Sequence, residues 1–152
     1  CIVLDLFSGT GSISIEFASR GIKQVTSVDK HSGCVYWLKS VIKKYDLTEI
    51  DAQKADVFKF LESEKNTYQI IFADPPYALD QATFEKIVTL IFDKELLQED
   101  GMMVIEHSKY TKLDHMINFS FKKSYGGSFF SFFELNSDAN EEVSDDFDSD
   151  EG

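Results

Sequence analysis

Apolar residues fall into two spacings that alternate along this chain. Val3-Leu4-Asp5-Leu6-Phe7, Val25 to Val28, Ile50 to Ala55 and Gln69 to Ala73 are short runs rich in β-branched and aromatic side chains, the composition of strands. Between them the spacing becomes helical. Ile13 and Phe17, four residues apart, open a segment that Arg20-Gly21 closes. Val35, Leu38, Val41, Ile42 and Tyr45 form a second helical pattern, and Val57 to Glu62, carrying Phe58 and Leu61, a short third. Phe84, Ile87, Val88 and Ile91 recur at i, i+3, i+4 and i+7, the face of an amphipathic helix. Gly101 is expected to precede a fifth strand, Met102 to Glu106. The chain then changes habit: Ile117 to Tyr125 and Ser128 to Leu135 flank Gly126-Gly127, the turn chemistry of a hairpin. Strands alternating with helices and closed by a hairpin predict an α/β domain. Its sheet would be mostly parallel and seven-stranded, with helices on both faces and a terminal antiparallel hairpin. A plain dinucleotide-binding fold is the alternative, and the hairpin argues against it.

Charge changes this picture only at the carboxyl end. Of a net charge of −12, eight acids lie between Asn136 and Gly152, where there is no Lys or Arg. That polar, self-repelling segment is expected to be a disordered tail, leaving residues 1–135 as one domain with 19 acids against 15 bases. Such a body has no strong phosphate-binding field of its own. No apolar run approaches the ~20 residues of a membrane span, and no leader pattern opens the chain. Cys1 and Cys34 have neither metal nor disulfide spacing, as expected of reduced thiols in a cytoplasmic protein. His31, His107 and His115 lack mutual metal-ligand spacing, so surface or packing roles and no metal site are expected. The first residue is Cys1, with no initiator Met, which suggests an excised domain; a monomer is expected.

Candidate chemistry lies where strands end. The first strand runs into Ser8-Gly9-Thr10-Gly11 and then a helix, a turn that brings backbone N–H groups close to a ligand. A dinucleotide fingerprint would put a third glycine where Ser14 stands, which disfavours a pyrophosphate binder. Eighteen residues after Gly11, Asp29 closes the second strand, the place for an acid that holds ribose hydroxyls; capping the following helix is the alternative. The fourth strand ends in Asp74-Pro75-Pro76-Tyr77. An acid and a turn carbonyl can accept both N–H bonds of an exocyclic amine, two prolines stiffen the turn, and a tyrosine offers a face for stacking. An ordinary turn is the competing reading.

Taken together, Leu4-Asp5-Leu6-Phe7-Ser8-Gly9-Thr10-Gly11, Glu16 with Ser19-Arg20-Gly21, Ala73-Asp74-Pro75-Pro76-Tyr77, Val104-Ile105-Glu106-His107-Ser108 and Tyr125-Gly126 resemble a known family. It is that of class I S-adenosylmethionine-dependent methyltransferases acting on amino groups of nucleic-acid bases. More narrowly, the chain resembles the RsmD-type guanine-N2 methyltransferases of small-subunit ribosomal RNA, over roughly Ile2 to Leu135. Family members usually begin with a basic arm that contacts RNA, whereas this chain starts at the edge of its first strand. The resemblance implies a Rossmann-like class I methyltransferase fold and S-adenosyl-L-methionine as cofactor. Small-subunit ribosomal RNA, or the assembling subunit, would be the partner. It implies that Phe7, Gly9 and Gly11 approach the cofactor and that Asp5 orients the turn or meets the cofactor's amino group. Asp29 would bind the ribose, Lys30 would cover the adenine, Asp56 would accept the adenine amine, and Val57 would lie beside the ring. A helix cap is the other reading of Asp56. Asp74 and the Pro75 carbonyl would hold the reacting amine, with Tyr77 stacked on the base. Adenine-N6 methylation of DNA and a non-catalytic scaffold remain as alternatives. Glu106 is expected to make a structural hydrogen bond. Most of Phe129, Phe130, Phe132 and Phe133 are expected in the core, and Lys122 and Lys123 on an ordinary exposed surface.

Overall fold

A computed structural model describes residues 1–135; the acidic segment 136–152, expected to be a disordered tail, lies outside the described residues. Strand β1 (Ile2–Leu6) leads to α1 (Ser12–Ser19), β2 (Gln24–Asp29) to α2 (Ser32–Tyr45), and β3 (Ile50–Lys54) to α3 (Val57–Ser63). Then β4 (Tyr68–Ala73) is followed by α4 (Gln81–Asp93), β5 (Leu97–His107), β6 (Phe119–Tyr125) and β7 (Ser128–Phe133). One seven-stranded sheet has the order β3-β2-β1-β4-β5-β7-β6. All neighbouring pairs are parallel except those that β7 makes with β5 and β6. This is the α/β sheet with a terminal antiparallel hairpin that the hydrophobic pattern predicts.

Alternation along β1 shows how the layers form. Val3 packs with Ala18, Val25, Val35 and Leu38 under α1 and α2. Leu4 and Leu6 pack instead with Leu61, Phe84, Ile87 and Ile91 under α3 and α4. Both faces are therefore covered, which is why the parallel strands read as nearly continuous apolar runs. Asp5 has the parity of Val3, so the one acid in β1 faces α1 and is 1% exposed. The chain leaves β1 towards β2 and β3, then returns to β4 on the other side of β1. That reversal opens a crevice beyond the strands' carboxyl ends.

The fifth strand departs from expectation. It begins at Leu97, and Gly101 lies inside it. Leu97 pairs with Tyr68 and Met102 with Ile70, so β5 bulges between these pairs. A Cβ on Gly101 would lie 2.6 Å from the Gln69 carbonyl oxygen, so glycine there reflects strand-to-strand contact as well as punctuation. The hairpin turns through Gly126 and Gly127 at φ +57° and +89°, with β6 beginning at Phe119 and β7 ending at Phe133. Of the four phenylalanines in β7 only Phe133 is fully buried, and Phe129, Phe130 and Phe132 are half-buried. The expectation that most are core fails because β6 is the edge of the sheet and leaves the hairpin partly open. Phe132 stacks instead on Phe121 of β6, with centroids 4.4 Å apart.

Candidate active site

The exit from β1 is a tight turn: Ser8 N–H donates to the Val28 carbonyl at 3.1 Å, and Gly11 N–H to that of Ser8 at 2.8 Å. Phe7 adopts φ +58°, a conformation uncommon for a large L-residue, and lies in the cavity wall. Gly11, at φ +86°, precedes α1; a Cβ there would meet the Leu38 side chain at 2.6 Å, so the second glycine lets α2 pack against the turn. Asp29 ties the turn to the second strand. Its Oδ2 accepts from Gly9 N–H and its Oδ1 from His31 N–H, both at 2.8 Å. Asp5 lies beneath. Ser14 Oγ donates to its Oδ2 at 2.6 Å, which explains a serine where a dinucleotide site would carry glycine. Burial raises the Asp5 carboxyl to about 6, opposed by hydrogen bonds from the Ser14 hydroxyl and backbone, with smaller upward pushes from Asp74 and Asp29.

A cavity of about 410 Å³ opens beyond these strand ends, within the range of small-ligand sites. Phe7, Asp29, Lys30, Asp56, Val57, Asp74, Pro75 and Tyr77, all singled out from the sequence, line it together. Asp5, Gly9 and Gly11 do not reach its wall. Pro76, the second proline of the turn, also lines the cavity, and sequence reasoning missed three lining residues: His31, Phe58 and Leu79. His31 was expected to be a surface or packing residue, but its place two residues beyond Asp29 brings it to the mouth. Phe58 had a readable signal, since it follows Val57 on α3; its ring meets Phe7 edge-on at 6.4 Å. Asp56 is the N-cap of α3, its Oδ1 accepting from Phe58 N–H at 2.9 Å and Lys59 N–H at 3.1 Å. The capping alternative is therefore realised, and both bonds fall on one oxygen of a residue that also faces the cavity.

Asp74-Pro75-Pro76-Tyr77 closes the opposite end. Asp74 N–H donates to the Leu6 carbonyl at 3.3 Å, extending the β1–β4 pairing by one residue, and Pro75 is buried. Asp74 itself stays open to solvent, yet partial desolvation first, then Glu106, raises its carboxyl to about 6. The Tyr77 hydroxyl lies 2.5 Å from Ser128 Oγ and 3.4 Å from Glu106 Oε2, and the residue is 51% exposed. The hairpin thus holds one end of an open aromatic ring. His107, one residue on, is a packing residue as expected. Its Nε2 lies 2.7 Å from Ser131 Oγ and its Nδ1 2.8 Å from the Ser108 carbonyl, and burial lowers its pKa. His115 forms an exposed pair with Glu85. Among the described residues no His, Cys, Asp or Glu group could hold a metal ion, and no helix is long and apolar enough to cross a membrane.

Residues 1–134 match the model of the conserved hypothetical protein 95 family. The chain belongs to that family. This member is 31% identical over 130 residues to YlbH of Bacillus subtilis, provisionally named an rRNA methyltransferase, covering 81% of this chain and 70% of that one. It is 27% identical over 103 residues to ribosomal RNA small subunit methyltransferase D of Buchnera aphidicola subsp. Baizongia pistaciae, covering 68% of this chain and 52% of the relative. The chain thus spans about half the length of that relative. Among solved structures, a Haemophilus influenzae protein provisionally described as a methylase superposes with a TM-score of 0.78, at 21% identity, over 88% of this chain and 86% of that one. The family member described here has the Rossmann-like class I methyltransferase fold.

Proposed function

We propose that this chain transfers a methyl group from S-adenosyl-L-methionine to the exocyclic N2 amine of a guanine in small-subunit ribosomal RNA, free or in the assembling subunit. One observation carries the proposal: a single cavity has Asp29 and Asp56 on its wall together with Asp74-Pro75-Pro76-Tyr77. The relatives' names give the substrate class.

The residues present fit the cofactor. Each Asp29 oxygen accepts one backbone N–H, and a carboxylate oxygen has a second acceptor position for a ribose hydroxyl. Asp56 caps α3 through Oδ1, which leaves Oδ2 for the adenine amine. Phe7, Val57, Phe58 and Leu79 supply apolar wall for a flat ring. When bound, the cofactor supplies a methyl group on a sulfonium, open to direct in-line transfer.

What remains for the protein is positioning and electrostatics. Ionised Asp74 and the Pro75 carbonyl accept the two N–H bonds of the amine and turn its lone pair towards the methyl. Those two acceptors would stabilise the positive charge that develops on the nitrogen during transfer. The amine then loses one proton, to Asp74 or to water. Tyr77 stacks on a base drawn out of its helix or loop.

The test is labelled methyl transfer to unmethylated small subunits, naked ribosomal RNA and DNA in parallel, followed by nucleoside analysis. N2-methylguanosine from either RNA substrate is expected. N6-methyladenine in DNA would favour the rival enzyme, and cofactor binding without transfer to any substrate would favour a scaffold.

A further inference from the structure

Beside Asp74 stands a second carboxylate that the proposed reaction does not use. In the parallel β4–β5 pair, Ala73 is matched with Ile105. Asp74 and Glu106 each follow one residue later, so register brings the two acids side by side at the strand ends. Glu106 is half-buried and faces Phe130 across the β5–β7 pair. Its Oε2 is 3.4 Å from the Tyr77 hydroxyl, which Ser128 holds at 2.5 Å. The acid is thereby held between the base-stacking ring and the proposed amine acceptor. It does not line the 410 Å³ cavity, and what it approaches is the hydroxyl end of Tyr77, the ring proposed to stack on the base. A structural hydrogen bond alone accounts poorly for an acid there, because a neutral side chain could meet Tyr77 without repelling Asp74.

Two adjacent acceptors match a particular base edge. Guanine presents N1–H directly beside its N2 amine, a row of donors. Adenine presents a bare N1 lone pair beside its amine, and a carboxylate facing it would meet electron density without a proton. We propose, building on the function above, that Glu106 reads the base: its carboxylate accepts guanine N1–H while Asp74 holds the adjacent N2 amine. Charge-assisted hydrogen bonds of this kind are short and strong. A site built around such a donor rejects an analogue that lacks it, because its own acceptor is then left unpaired. Glu106 thus excludes adenine, and the paired acids account for selection of guanine within a turn that could hold either amine.

The probe is 2-aminopurine, which keeps the 2-amine but has a lone pair at N1. Small subunits are assembled with ribosomal RNA carrying guanine or 2-aminopurine at the position the wild-type chain methylates, and single-turnover transfer is compared. The wild type should prefer guanine by at least about 100-fold. E106Q should slow transfer to guanine much more than to 2-aminopurine, narrowing the ratio about tenfold or more, with cofactor affinity unchanged. A wild-type preference below about threefold would overturn the inference without any variant, as would an E106Q ratio equal to that of the wild type. Absence of wild-type transfer to any guanine would remove the proposed function, and this inference with it.

Discussion

At the scale of single residues, the proposed function separates the candidate site into groups that would hold the cofactor and groups that would meet the amine. Asp29→Ala removes two hydrogen bonds that shape the turn together with the proposed ribose contact. Calorimetry should show cofactor affinity down by about tenfold or more. Asp74→Ala should leave that affinity within about twofold while single-turnover transfer falls by orders of magnitude. Acidity provides a further check. Glu106 from β5 faces Asp74, Tyr77 lies in the same network, and Asp5 from β1 is coupled to it. With its carboxyl raised to about 6, Asp74 is mostly protonated below that pH and loses the negative charge with which it would hold the amine and stabilise charge developing on it. Transfer should therefore rise by about tenfold per pH unit up to about 6 and level off above it; E106Q, lacking the like charge, should move this limb to lower pH. Ser14→Ala leaves buried Asp5 without its hydroxyl donor and should cost about 2 kcal/mol, or on the order of 8 °C in melting temperature. Asp5 is raised, so its penalty is full above about 6 and fades as pH falls towards 3.8. The deficit of the variant measured by calorimetry should accordingly be smaller at pH 4 than at pH 7. Asp5, Asp29 and Asp74 were readable in the sequence because each closes or interrupts an apolar run. The role of Ser14 was not, since it depends on which face of β1 Asp5 occupies.

At the scale of elements, β4 and β5 set the geometry of the amine end, and their register depends on the bulge before Gly101. Gly101→Ala would drive a Cβ to within 2.6 Å of the Gln69 carbonyl and 3.0 Å of that of Gln98. Both are backbone atoms that cannot step aside. The substitution should cost about 2 kcal/mol, seen as a lowered denaturation midpoint. Because the bulge lies upstream of Glu106, transfer to guanine should also fall in the folded fraction; unchanged stability would show that β5 can shift freely. The sequence predicted every helix and strand here, but not that β5 begins at Leu97. Local pattern cannot show a strand running through a polar stretch such as Gln98-Glu99-Asp100, whose support comes from β4. The same holds for Glu106 and Ser128: their meeting with Asp74 and Tyr77 is a product of long-range pairing, which leaves no mark in local spacing. Asp56 carried both readings in the sequence; the structure shows the cap, made through Oδ1, on a residue that also lines the cavity.

At the scale of the molecule, charge is distributed unequally. The described domain carries 19 acids and 15 bases, and residues 136–152 add eight acids without a base. We propose that this segment is a solvated extension of the catalytic domain. Deleting it should shift the melting temperature by less than about 5 °C, roughly 1 kcal/mol for a domain of this size, and barely alter RNA affinity. A larger fall would mean that it packs on the body. Tighter RNA binding after deletion, strongest at low salt, would instead mark it as a competitor for the RNA site. With so little net attraction for phosphate in the domain, affinity for RNA should depend weakly on salt.

The position of β7 also bears on how the chain is made. The last of the described strands to be synthesised lies between β5 and β6, which emerge before it. Until Phe133 has left the ribosome, β5 has one bare edge, β6 has no neighbour to join, and the core lacks one of its largest buried rings. That half of the sheet cannot assemble in the order of translation. It must wait for β7 to enter between two earlier strands, and a nascent chain stalled before β7 would present an open edge to any other strand nearby.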